Sequence, residues 1–154
     1  MARKRSVGDV IRTHRDLPQA PREHACAAGV CDPRRNQGLR APAPKGNYTL
    51  ITLKGPGVFL GAQVTKQGGA SGLTFVGLDI DGRNVTSVSF AAASNWGLRE
   101  QNPYGLVLLQ GLGVTTMTIG FPTPLRFASQ LQLSVTVNEN GVAQILSNVI
   151  TGTA

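Results

Sequence analysis

From Tyr48 onward the sequence is a succession of short runs rich in Val, Ile, Leu and Thr, each cut off by Gly, Pro or Asn. The runs are YTLITL (48–53), VFLGAQV (58–64), LTFVGLDI (73–80), NVTSVSF (84–90), YGLVLLQ (104–110), VTTMTIGF (114–121), QLQLSVTV (130–137) and VAQILSNVI (142–150). Each is too short for a typical helix and has the composition of a pleated, half-buried strand. QLQLSVTV alternates with period two: Leu131, Leu133, Val135 and Val137 face a core, while Gln130, Gln132, Ser134 and Thr136 face out. Met117, Ile119 and Phe121 do the same against Thr116, Thr118 and Gly120. LVLL (106–109) is apolar on both faces, as a central or partner-covered strand is. Asp81-Gly82 and Asn140-Gly141 read as hairpin turns, because a type I′ turn needs positive φ. The two prolines of GFPTPL (120–125) mark a sheet edge or a crossing between sheets. About eight strands in some 105 residues predict an all-β fold, an antiparallel two-sheet sandwich of jelly-roll type over residues 47–154.

Residues 1–46 have other physics. They hold prolines, scattered charges and few large apolar side chains, and no period of 2 or 3.6 survives. SVGDVIRTHRDL (6–17) offers at most one short helix, with Ser6 as N-cap and Asp9 completing an approximate capping box. So polar a segment cannot offset its backbone entropy by burial, and an extended arm that orders only on a partner is expected. Charge separates the regions too: residues 1–45 carry ten Lys or Arg against four Asp or Glu, and the rest carries five against four. A basic arm therefore precedes a nearly neutral body.

Enzymatic chemistry is hard to stage on this body. Both histidines, His14 and His24, lie in the arm, so no body Ser has a His to activate it. No G-x-S-x-G, H-E-x-x-H or P-loop pattern occurs. Of the body carboxylates Asp79, Asp81, Glu100 and Glu139, three belong to or adjoin turns, which suits neither a glycosidase pair nor a calcium loop at DIDG. The expectation is a protein that is not an enzyme.

Three sets of residues can carry binding. The connection AAASNWGLREQNP (91–103) holds the only tryptophan, and long loops on rigid sandwiches often bind. Asn95, Trp96, Arg99, Gln101, Asn102 and Tyr104 could form an aromatic-plus-amide sugar platform; alternatively Trp96 caps one end of the sandwich or sits in a subunit contact. In the arm, Arg3, Lys4, Arg5, Arg12, Arg15, Arg22, Arg34, Arg35 and Arg40 can grip a partner protein or nucleic acid phosphates. Finally, His14, His24, Cys26 and Cys31, the chain's soft ligands, gather there in the pattern H-x9-H-x-C-x4-C. That is no standard zinc spacing, so a zinc site, a Cys26–Cys31 disulfide and incidental thiols all stay open, and zinc is the one cofactor to consider.

No apolar h-region follows the basic N-terminus, and no run of 18 apolar residues occurs, so neither a secretory signal nor a membrane span is expected. The sequons at 47–49 and 84–86 would then carry no glycan. An arm followed by a sandwich containing PLRFASQLQLSVTVNENGVAQILSNVITG (124–152) resembles small structural proteins of virions, especially capsid or head-associated jelly rolls of tailed phages. The resemblance spans residues 48–154. It implies a non-enzymatic building block of a virion, made in the host cytoplasm, that forms a homo-oligomer with other virion proteins as partners and is anchored by its arm. The alternative is a β-sandwich module that binds carbohydrate or a host surface through the Trp96 loop.

Overall fold

The structure, a computed structural model, describes residues 26–27, 29–100, 102 and 105–153. In chain order its elements are β1 (Cys26–Ala27), β2 (Val30–Arg40), β3 (Gly46–Lys54), β4 (Gly57–Gly68), β5 (Thr74–Ile80) and β6 (Arg83–Ser89). There follow α1 (Phe90–Asn95), β7 (Leu106–Gly111), β8 (Val114–Ile119), β9 (Leu125–Phe127), β10 (Gln130–Val137) and β11 (Val142–Thr153). One sheet runs β1-β2-β11-β4-β8-β7 with β9 also on β4; the second runs β3-β10-β5-β6. All pairs are antiparallel.

The order has a simple logic. β5 pairs β6, β4 pairs β8 and β9, β3 pairs β10, and β2 pairs β11, so the pairs nest like one long hairpin. Its tip is Asp81-Gly82, with φ of 51° and 76°, the left-handed pair of a type I′ turn. Rolling that hairpin brings β11 against β4 and β10 against β5, which closes two sheets in jelly-roll order. The sandwich expected from the sequence is therefore the fold, and all eight expected strands are present. Leu131, Leu133, Val135 and Val137 face the core from β10, opposite Val64, Met117, Ile145 and Val149 of the other sheet.

Four details differ from the expectation. Residues 30–40, assigned to the arm, form an eleven-residue strand on the edge of the larger sheet, so the boundary at 46 lies too late. β2 escapes a hydrophobicity reading because its inward positions are Asn36 and Gly38, not apolar residues. Asn36 donates to Thr151 at 3.3 Å, and Ser147 donates to the Gly38 carbonyl at 3.2 Å. Asn140-Gly141 is not a hairpin turn, since the strands it joins, β10 and β11, lie in different sheets. GFPTPL neither ends a sheet nor crosses: its prolines fill the gap between β8 and β9, which both pair β4. The 91–103 connection begins inside α1, whose N-cap Ser89 accepts from the Ala92 N–H at 3.0 Å.

Candidate interaction surfaces

Strand alternation and cross-strand register align the outward side chains in rows. On the larger sheet one row reads Leu39, Leu146, Thr65, Thr116, Leu109, and the next Gln37, Asn148, Gln63, Thr118, Val107. Their polar members bond one another: Gln37 donates to Asn148 at 3.1 Å, and the Thr65 and Thr116 hydroxyls lie 3.0 Å apart. A third row starts with Arg35 and Ile150 and then runs out of side chains at Gly61, with Gly120 next in register. There a groove of about 720 Å³ opens, walled by Arg35 and Ile150, by Phe121 and Pro122, and by Arg99, Glu100 and Asn102 of the loop after α1. Asn102 braces this loop, its amide donating to the carbonyls of Glu100 and Leu106 at 3.0 and 2.6 Å.

The outer face of the smaller sheet is flatter in chemistry. Its rows read Asn47, Thr136, Phe75, then Thr49, Ser134, Gly77, Ser87, then Thr52, Gln132, Asp79, Asn84. A last pair, Lys54 with Gln130, ends the face; Asp79 and Lys54 are its two charges, and Asn84 donates to Asp79 at 3.0 Å.

The expected sugar platform is divided. Trp96, the C-cap of α1, is 62% exposed and so does not plug an end of the sandwich. Asn95 lines a second, smaller depression of about 260 Å³ beside Lys66 and Gln110, whereas Arg99 and Asn102 line the groove. Gln101 and Tyr104 lie outside the described residues. So do Arg3, Lys4, Arg5, Arg12, Arg15, Arg22, His14 and His24 of the arm. Arg34, Arg35 and Arg40 belong to β2, and the Arg40 guanidinium lies 4.3 Å from the centre of the Tyr48 ring. Cys26 and Cys31 are joined by a disulfide across the β1–β2 turn, their Cα atoms 4.0 Å apart. In that state neither sulfur is a thiolate able to hold a metal.

Two carboxylates that the sequence placed only in turns prove to be fasteners. Glu139, a residue of the β10–β11 connection, is buried, and its Oε1 takes a 2.6 Å bond from Lys66 and a 2.7 Å bond from Thr74. Its Oε2 accepts from the Ser71 and Gly72 N–H groups at 3.1 and 3.0 Å. No sequence signal joins Lys66 to Glu139, because the pattern of neither run marks a buried charge. Asp81 is exposed yet accepts from the N–H groups of Ala128, Ser129 and Gln130 and from the Ser129 hydroxyl, all at 2.7 to 2.9 Å. Those donors, the Ala128 N–H first, hold its carboxyl far below its ordinary value of 3.8. Its lone pairs are thus used to tie the hairpin tip to the start of β10, not to hold calcium.

A folded-state pKa below the unfolded one means that stability is present above the ordinary value and lost as pH falls. Asp81→Asn should therefore lower the Tm at neutral pH by several degrees and flatten the acid limb of a Tm–pH profile below about pH 4. An unchanged profile in thermal melts would show that the clamp is not formed.

No family model matches the sequence, and no curated protein matches it.

Proposed function

We propose that this chain is a non-enzymatic structural subunit that assembles with copies of itself, as a component of a virion. One observation carries the reading: the outward face of the β3-β10-β5-β6 sheet is built mainly from hydroxyl and amide side chains around Phe75, with only two charges, Asp79, which Asn84 satisfies, and Lys54 at the end of β3. Soluble surfaces usually mix both signs of charge densely, whereas the centres of protein interfaces are depleted in charge. A sheet whose two charges are of opposite sign and lie toward one end lets another sandwich lie on the rest of it without stripping water from ions. The basic residues near the N-terminus add a second point of attachment, to protein or to nucleic acid, and several weak contacts per subunit give avidity.

Ser134 sits at the centre of this face, between Thr49 and Gly77. Ser134→Arg should shift the purified full-length chain from assembled to monomeric species in sedimentation velocity while leaving its unfolding midpoint nearly unchanged. If the variant assembles as the parent does, this face is not the contact.

A further inference from the structure

We infer that the groove on the outer face of the larger sheet binds a carboxylate-bearing oligosaccharide. The inference is independent of the assembly reading, which rests on the opposite sheet. The groove's volume, about 720 Å³, lies in the range of ligand sites. Its floor is bare because Gly61 and Gly120 supply no side chain, and the fold does not demand glycine at either place. A Cβ on Gly61 would come no nearer than 3.4 Å to its closest neighbour, and one on Gly120 would meet nothing within 4 Å. Neither has the positive φ that favours glycine.

The walls define the ligand. Arg35 and Arg99 line the groove, and no ion pair or hydrogen bond engages either guanidinium among the described residues. Glu100 shares the wall, so the lining carries one net positive charge. Guanidinium groups match carboxylates bidentately. Gln63 and Asn148 offer amides for hydroxyl groups, and Ile150 and Phe121 offer apolar contact for the faces of sugar rings. An acidic peptide fits less well: the strands below spend their N–H and C=O groups on their own ladders, so no strand can be added there.

The test is an array of uronate- and sialate-bearing oligosaccharides, their neutral counterparts and acidic peptides, probed with the full-length protein. Hits are then titrated by calorimetry against Arg35→Gln and Gly61→Val, each first checked for an unchanged unfolding midpoint. The expected result is binding of acidic glycans only, weakened about tenfold or more by Arg35→Gln and abolished by Gly61→Val, which fills the floor. A silent array, equal binding of neutral sugars, preference for acidic peptides, or folded variants that bind like the parent would each overturn the inference.

Discussion

Replacing Glu139 with alanine should cost about 3–5 kcal/mol of folding stability, because it strands the Lys66 ammonium in the interior. Lys66 and Glu139 are both almost fully buried, and their contact is the 2.6 Å bond between Nζ and Oε1. The same carboxylate also satisfies two backbone N–H groups and the Thr74 hydroxyl, so its loss orphans several donors together. Four parts of the chain meet there: β4, the β4–β5 connection, the start of β5 and the β10–β11 crossing between sheets. Burial by itself would raise the Glu139 pKa; the Lys66 bond, the Thr74 bond, the Lys66 charge and the Gly72 N–H outweigh it, and the carboxyl lies below its ordinary 4.5. Because the folded pKa is depressed, this contribution is complete above about pH 4.5 and is lost as the pH falls. Urea unfolding of Glu139→Ala at neutral pH checks the magnitude. The double variant Lys66→Met/Glu139→Gln should recover part of the loss, since no unpaired charge then remains. A cost below about 1 kcal/mol for Glu139→Ala would mean that the pair is open to water.

Removing residues 1–45 should abolish cooperative folding, whereas removing residues 1–25 should leave the sandwich intact. The first deletion takes away β2 and the buried Ala43, and turns β11 from an inner strand into an edge. β2 lies close over the smaller sheet: a Cβ on Gly38 would run into the Leu50 carbonyl oxygen and come within 2.7 Å of the Ser147 hydroxyl. The lost ladder and exposed core rival the whole margin of a small domain, about 5–15 kcal/mol. Gly38→Val, a milder probe of the same packing, should cost about 1–3 kcal/mol by overpacking. Circular dichroism melts separate the outcomes: a two-state transition in the 1–45 deletion would return β2 to the status of a detachable arm.

The contrast between β10 and β2 shows what a sequence of this kind discloses. β10 declares itself by period-two alternation, since its partner surface is a hydrophobic core. β2 packs through a glycine and hydrogen-bonded amides, which leave no hydrophobic period, and its Pro33 and arginines suggest a solvated tail. The Asp81-Gly82 turn was legible because type I′ geometry restricts residue choice; the crossing at Asn140-Gly141 carries similar residues for a different path. Of the binding surfaces, Arg99 and Asn102 could be named from their loop, and Arg35 from its charge. That these meet over Gly61 and Gly120 depends on strand register between distant segments, which local pattern does not encode.

Whether copies of this chain assemble, as proposed above, is decided by sedimentation velocity on the purified chain across a concentration series. The expected result is a discrete multi-subunit species that Ser134→Arg dissolves into folded monomers. A folded wild-type chain that sediments as a monomer at every concentration would contradict it.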